Sequence, residues 1–155
     1  MERKEFLKSL GAGAAFALTF QCLGGCSGGD DSEGNVVEQP DNVDFTVDLD
    51  DPKASALANN GGYILVKSTA NISFNDVVVA RNLEGDLIAA TTVCSHENYD
   101  QVRFVPTEGG IFFCDVHGSK FDQGGAPLNS VQNTTAKPIK VYNTSLDGNL
   151  LRIFE

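Results

Sequence analysis

Two short clusters of sulfur and imidazole side chains restrict what this chain can fold into more than any other feature. The first cluster is Cys94-Ser95-His96 and the second is Cys114-Asp115-Val116-His117, with 17 residues between His96 and Cys114. They contain the only two histidines of the 155-residue protein and the only two cysteines after residue 26. Because thiolates and neutral imidazoles are common metal ligands, two matched clusters predict a fold that brings both to one metal site.

The ligand types restrict the choice of metal to two kinds of site. Two thiolates and two imidazoles suit a tetrahedral zinc ion, or an iron–sulfur cluster in which histidines replace two of the four cysteines. Finger-type zinc sites usually keep their cysteines in one pair and their histidines in another, whereas here each arm carries one of each. The alternative without metal is that the two cysteines are buried apolar residues or form a disulfide.

The alternation C-x-H followed by C-x-x-H-G-S-x-F-D resembles the cluster loops of the Rieske [2Fe–2S] family. The resemblance implies one [2Fe–2S] cluster per chain, with Cys94 and Cys114 ligating one iron and His96 and His117 the other. It also implies an all-β fold: an antiparallel β sandwich or barrel that carries a small two-loop subdomain for the cluster.

Two residues after the second cluster bear on the reduction potential that the resemblance implies. Ser119 occupies the position whose hydroxyl hydrogen-bonds a bridging sulfide in the high-potential members, and Phe121 stands where those members usually have a tyrosine that reaches a cysteine sulfur. Those members also have a disulfide between the two loops, and this chain lacks the two additional cysteines that would form it. We therefore expect a mid-range potential, below ~+250 mV, within the roughly −150 to +300 mV of histidine-ligated clusters.

Less of the surrounding sequence follows the family pattern. A third loop covers the cluster in the family; Ala136-Lys137-Pro138-Ile139 matches its end, but Asn133-Thr134-Thr135 stands in place of its Gly-Pro. Gly124-Gly125-Ala126-Pro127 is the alternative covering segment. Glu97, beside His96, is either a tuning charge or a solvated surface residue.

The pattern of apolar residues predicts short strands from residue 43 onward. Residues 43–49 alternate between apolar and polar side chains, which is typical of a half-buried strand, and Pro52 ends it. Further strands are predicted at 63–66, 72–74, 77–80, 87–93, 102–105, 111–113, 139–142 and 150–154, separated by turns rich in Gly, Asn and Asp. No amphipathic helix is indicated after residue 25, so the pattern favours an all-β domain.

The N-terminus is predicted to be an export signal over residues 1–25. Arg3, Lys4 and Lys8 precede an apolar run at 10–20, which is shorter than the about 20 residues that span a bilayer. Leu23-Gly24-Gly25-Cys26 resembles a bacterial lipobox with Cys26 as the lipidated residue; Cys22 fits less well, and an uncleaved anchor is the alternative. The start also resembles a twin-arginine signal with lysine in place of the second arginine, so export by that route or by the general pathway stays open.

Charge separates a linker from the domain. The net charge of −10 includes nine acidic residues and no Lys or Arg between residues 26 and 51, whereas residues 52–155 contain ten acids and eight bases. Residues 26–41 are predicted to be a flexible acidic linker, and residues 42–155 the domain, with cluster loops at 94–100 and 114–122. The absence of a basic patch argues against nucleic-acid binding.

These features together predict an exported protein, lipid-anchored at the periplasmic or cell-surface face of a bacterial membrane, that transfers single electrons. We expect a redox protein or a quinone- or cytochrome-type donor and acceptor as partners, and a monomer unless the chain joins a complex. An oxygenase would need a second iron site of two histidines and a carboxylate, and both histidines are already assigned. The alternatives are a small electron-transfer subunit of a larger oxidoreductase, a lipoprotein that senses redox state or iron, and a zinc-stabilised binding module.

Overall fold

Eleven β-strands account for most of the regular structure in the computed structural model, which describes residues 37–69 and 74–155. In chain order they are β1 Asp44–Asp48, β2 Tyr63–Val66, β3 Val77–Arg81, β4 Leu87–Thr91, β5 Val102–Val105, β6 Ile111–Cys114, β7 Lys120–Phe121, β8 Ser130–Val131, β9 Thr134–Thr135, β10 Val141–Asp147 and β11 Leu150–Phe154. The only helices of these residues are 3-10 turns at Pro52–Ala58 and Thr107–Gly109. No helix in the described ranges is long and apolar enough to cross a membrane.

The strands form three antiparallel sheets. The largest has six strands in the order β1-β11-β10-β4-β3-β2, and we call it the base sheet. A three-stranded sheet, β5-β6-β7, carries the second predicted cluster loop, and β8 and β9 form a separate hairpin. The all-β prediction is therefore confirmed.

Strand β3 separates two hydrophobic cores. Val77 and Val79 point into the base core, which also contains Leu151 and Ile153. The alternate residues Val78 and Ala80 point into a second core, which we call the loop-end core; it contains Cys94, Val102, Phe104, Phe112, Cys114 and Phe121. Burial on both faces explains why this strand is an uninterrupted apolar run, whereas β1 alternates.

Several predicted boundaries differ from the structure for identifiable reasons. Residues 52–58 form a 3-10 helix, whereas the sequence predicted only that Pro52 ends the first strand. Pro52 begins the helix, and the Asp51 carboxylate accepts the Lys53 N–H at 2.9 Å. Strand β4 ends at Thr91 rather than at residue 93, because the Thr92 carbonyl accepts the Val102 N–H at 2.9 Å and the chain turns from β3 towards β5.

The predicted strand at 139–142 is wrong in extent: β10 begins at Val141 and continues to Asp147, where it turns into β11. Of the strand predicted at 72–74, residues 72 and 73 lie outside the described residues, and Phe74 is in a bend. The predicted export signal and Cys26 also lie outside them. The structure describes the predicted linker from Val37 onward, and the Val37 N–H donates to the Asn98 carbonyl at 3.2 Å.

Candidate metal centre

The first arm is a closed loop that begins where the chain leaves β4. The Cys94 N–H donates to the Tyr99 carbonyl at 2.8 Å, and the Asn98 N–H donates back to the Cys94 carbonyl at 2.7 Å. Asn98 has a φ of +58°, in the left-handed region that asparagine tolerates better than most residues. These contacts hold His96, in the middle of the loop, at a fixed distance from the cysteine backbone.

The second arm repeats the same construction after the last residue of β6. The Cys114 N–H donates to the Ser119 carbonyl at 2.9 Å, and the Gly118 N–H donates to the Cys114 carbonyl at 3.0 Å. Gly118, four residues after its cysteine like Asn98 in the first arm, also has a positive φ, of +78°. Each candidate ligand pair is therefore carried by a loop of one geometry, closed on its own cysteine.

The two cysteines meet in the loop-end core. Cys94 and Cys114 are buried, with 2% and 1% of their surface exposed, and they are not joined by a disulfide. The Cys114 thiol hydrogen-bonds the Cys94 sulfur, which lowers the pKa of Cys94 to about 6 and raises that of Cys114 above its ordinary value. The disulfide alternative does not hold, and two adjacent free sulfurs suit a site for a cation.

The two imidazoles also come together, closer to the surface. The ring centroids of His96 and His117 are 5.3 Å apart, with the ring planes at 72°, and both residues are partly exposed. The Nδ1 atom of His96 is buried and has no hydrogen-bond partner. Since buried polar atoms in folded proteins nearly always have a partner, an orphaned ring nitrogen fits a ligand of a metal.

Ser119 and Phe121 lie where the family resemblance expects them to matter. Ser119 is 1% exposed and its Oγ is buried without a partner of hydrogen-bonding geometry, although the hydroxyl is near enough to Cys94 to lower its pKa. Phe121 is fully buried in the loop-end core, paired with Phe112 across β6 and β7. The serine therefore offers an unused donor at the site, and the phenylalanine offers only packing.

Glu97 lies against the opposite arm. Its Oε2 is 3.6 Å from the Nε2 of His117, and the ligating atoms of His96, Glu97 and His117 all lie within 4.8 Å of one another. The ring of Tyr99 meets His117 edge-on, with centroids 5.8 Å apart. The carboxylate is 43% exposed, so its charge is near the imidazoles but partly screened by water.

The segments expected to cover the site have separate contacts. The Ser95 hydroxyl donates to the carbonyl of Lys137, so the stretch that matches the end of the family's third loop touches the first arm. The other candidate cover, residues 124–127, contacts different residues: the Gly125 carbonyl accepts the Ile139 N–H at 2.9 Å, and Pro127 forms a β-bridge with Phe121.

Sequence reasoning missed Asn129. Its side chain accepts the Lys120 N–H at 2.8 Å through Oδ1 and donates to the Gly118 carbonyl at 2.9 Å through Nδ2. An asparagine between two apolar segments usually indicates a turn, and nothing in the sequence shows that it reaches a loop nine residues earlier.

The chain is similar to known proteins in its sequence and in its fold. A family model for the Rieske [2Fe-2S] domain matches residues 53–143, more than half of the chain. Among solved structures, the ferredoxin of carbazole 1,9a-dioxygenase from Nocardioides aromaticivorans IC177 is 22% identical, with a TM-score of 0.51 over 76% of this chain and 98% of that one. The plasma membrane Rieske protein PetC3 from Synechocystis PCC 6803 is 26% identical, with a TM-score of 0.42 over 51% and 76%. No curated protein sequence matched.

Proposed function

The chain belongs to the Rieske [2Fe–2S] domain family, and from that premise we propose that it is an exported, lipid-anchored carrier of single electrons. Membership of the family implies one [2Fe–2S] cluster and electron transfer through it. We assign Cys94 and Cys114 to one iron, and His96 and His117 to the other. The observation that supports this assignment is the meeting of two free thiols and two imidazoles on two loops of matching construction.

The residues of the site divide into a buried and an exposed part. When bound, the cluster supplies a one-electron couple at a mid-range potential, because neutral imidazoles leave it less negative than four thiolates would. The cysteines anchor it inside the loop-end core, whereas His96 and His117 are partly exposed. A donor or acceptor therefore reaches the site through the histidine side, and we propose a redox protein or a quinone- or cytochrome-type molecule there.

Spectroscopy of the purified protein tests the cofactor and its ligands. We expect a red-brown protein with charge-transfer bands, and a spin-resonance signal after dithionite reduction that is typical of mixed cysteine and histidine ligation. Cys114→Ser should abolish the visible bands, and Ser145→Ala, an exposed change on β10, should leave them intact. A colourless protein containing zinc would contradict the proposal.

Membrane attachment is proposed from the sequence alone. The lipobox-like residues before Cys26 and the acidic stretch that follows support a tethered domain. Cys26→Ser should move the protein from the membrane fraction to the soluble fraction, whereas the matched change Cys22→Ser should not. Membrane association that survives Cys26→Ser would count against lipid anchoring without affecting the cluster assignment.

A further inference from the structure

We propose that Asn129 is a positioning residue of the metal centre, which fixes Ser119 so that its hydroxyl donates to the cluster side of the site. The inference rests on the proposed function, because the hydroxyl lies beside the Cys94 sulfur without a partner of good hydrogen-bonding geometry, and a bound cluster would supply one. The two hydrogen bonds of the Asn129 side chain are to backbone atoms of Gly118 and Lys120, so it acts through the backbone on both sides of the serine.

The contacts of Asn129 bracket Ser119. The amide oxygen accepts the N–H of Lys120, the residue after the serine, at 2.8 Å, and the amide nitrogen donates to the carbonyl of Gly118, the residue before it, at 2.9 Å. Only an amide side chain offers a donor and an acceptor on one short planar group. The serine carbonyl is held separately by the Cys114 N–H at 2.9 Å. The backbone around Ser119 is thus fixed from three directions.

These hydrogen bonds fix the backbone of Ser119 but do not involve its side chain. Its Oγ is buried and has no partner of hydrogen-bonding geometry, in a residue only 1% exposed. A buried hydroxyl without a partner has lost its hydrogen bonds to water and gained none in return, which is unfavourable. A fold that braces both neighbouring peptide groups and yet leaves this donor unused is consistent with a partner supplied from outside the chain. A bridging sulfide would accept this hydrogen bond.

The segment that begins at Asn129 also reaches the other arm. It forms the β8–β9 hairpin, where the hydroxyls of Ser130 and Thr135 hydrogen-bond at 2.6 Å, and ends at Lys137, whose carbonyl accepts the Ser95 hydroxyl. Cys94 and Cys114 are the only cysteines after residue 26, so no disulfide ties the arms. Residues 129–137 provide that tie through hydrogen bonds instead.

A double-mutant cycle on the reduction potential tests the role of Asn129. Ser119→Ala should lower the equilibrium constant for reduction about tenfold, which is ~59 mV for one electron, because the more negative reduced state loses a donor. Asn129→Leu should shift it in the same direction by about threefold to tenfold. Because Asn129 acts through the serine, the double variant should match Ser119→Ala alone rather than add the two shifts. Asn143→Leu, an exposed change on β10, is the matched control and should leave the potential unchanged.

Hydrogen exchange of the holoprotein supplies a second readout. In Asn129→Leu, a peptide containing Lys120 should exchange faster than in the wild type, and Asn143→Leu should not change it. If Asn129→Leu does not fold, Asn129→Ala serves for both measurements. Full additivity in the cycle, or an unchanged potential and unchanged exchange, would overturn the positioning role. A wild-type protein without cluster bands refutes the proposed function instead, while the exchange comparison still reports whether Asn129 holds the loop.

Discussion

The base sheet and the two arms are held together by different means. The base core is apolar: Leu151 and Ile153 of β11 and Val77 and Val79 of β3 are essentially fully buried in it. The arms are held by backbone hydrogen bonds that close on each cysteine, and they contain polar atoms without partners at His96 and Ser119. The base core also contains one buried hydroxyl without a partner, that of Tyr142. Among the described residues, only in the arms do such atoms lie beside two free buried cysteines, which indicates that this region is arranged around a group that the chain does not supply.

This difference means that stability and redox properties should respond to different substitutions. Changes in the base core should lower the free energy of unfolding and leave the reduction potential alone. Changes in the arms should alter the reduction potential and leave the free energy of unfolding nearly unchanged, except where a substitution also strains the backbone. The four predictions that follow test this separation, in order of decreasing expected effect.

The largest effect is expected from Leu151→Ala. The side chain is 1% exposed in the base core, so truncation should lower the free energy of unfolding by about 2–5 kcal/mol through lost burial and a residual cavity. The urea midpoint followed by circular dichroism measures this loss. The neighbouring Leu150→Ala is the control, because Leu150 is 51% exposed and should change stability by less than ~0.5 kcal/mol. A shifted reduction potential in Leu151→Ala would break the separation.

Gly118→Ala should affect both the stability of the protein and the signal of the metal centre. Gly118 has a φ of +78°, and a β-carbon there would lie 3.9 Å from the Phe113 ring, which is ordinary contact, so the cost is backbone strain of about 1–2 kcal/mol. Gly109→Ala is the matched control: its φ is +85°, and nothing lies within 4 Å of its β-carbon position. We expect similar destabilisation in the two variants, but an altered spin-resonance signal in Gly118→Ala alone. Identical signals would show that the second arm tolerates a shift at this position.

Much of this contrast could be predicted from the sequence, because it depends on residue types that are rare or regularly spaced. Cys94, His96, Cys114 and His117 are the only soft ligands after residue 26, so their meeting required no knowledge of the turns. The alternation of residues 43–49 and the apolar run of 77–80 placed β1 and β3 for the same reason.

The rest could not be predicted, because it depends on contacts between segments that are far apart in the chain. Strand β10 extends through Asn143, Thr144 and Ser145, which have no apolar pattern, since β11 pairs with them along its whole length. The β8–β9 hairpin turns at Gln132 and Asn133, both with positive φ and with no glycine to signal the turn. The bracing by Asn129 is likewise invisible until the position of the second arm is known.

Glu97→Gln should change the reduction potential and leave stability nearly unaffected. The carboxylate is 3.6 Å from the Nε2 of His117, so its negative charge opposes addition of an electron to the site. Its removal should raise the equilibrium constant for reduction about threefold, or ~30 mV, a modest value because the group is 43% exposed. The shift should shrink as salt is added. Glu84→Gln, at the exposed turn between β3 and β4, is the control. If Glu97→Gln has the potential of the wild type, the charge of Glu97 does not influence the metal centre.

The smallest effect is expected at the edge of the base sheet, from the pair of Asp44 and Arg152. Two hydrogen bonds, of 2.8 and 2.7 Å, join the guanidinium to both carboxylate oxygens, and they lower the pKa of Asp44 below its usual range. Because the folded-state pKa lies below the unfolded one, the pair stabilises the protein fully above about pH 4 and loses that contribution as the pH falls further.

Asp44→Asn should therefore lower the melting temperature slightly at pH 7 and flatten its decline below about pH 4, as measured by thermal unfolding across that range. Asp147→Asn, which removes the same charge at the tip of the β10–β11 hairpin, is the control for net charge. The reduction potential of Asp44→Asn should equal that of the wild type, since β1 contributes to the base core alone. A change in potential from so distant a charge would mean that the base sheet and the arms are electrostatically coupled, and that the separation holds only for packing.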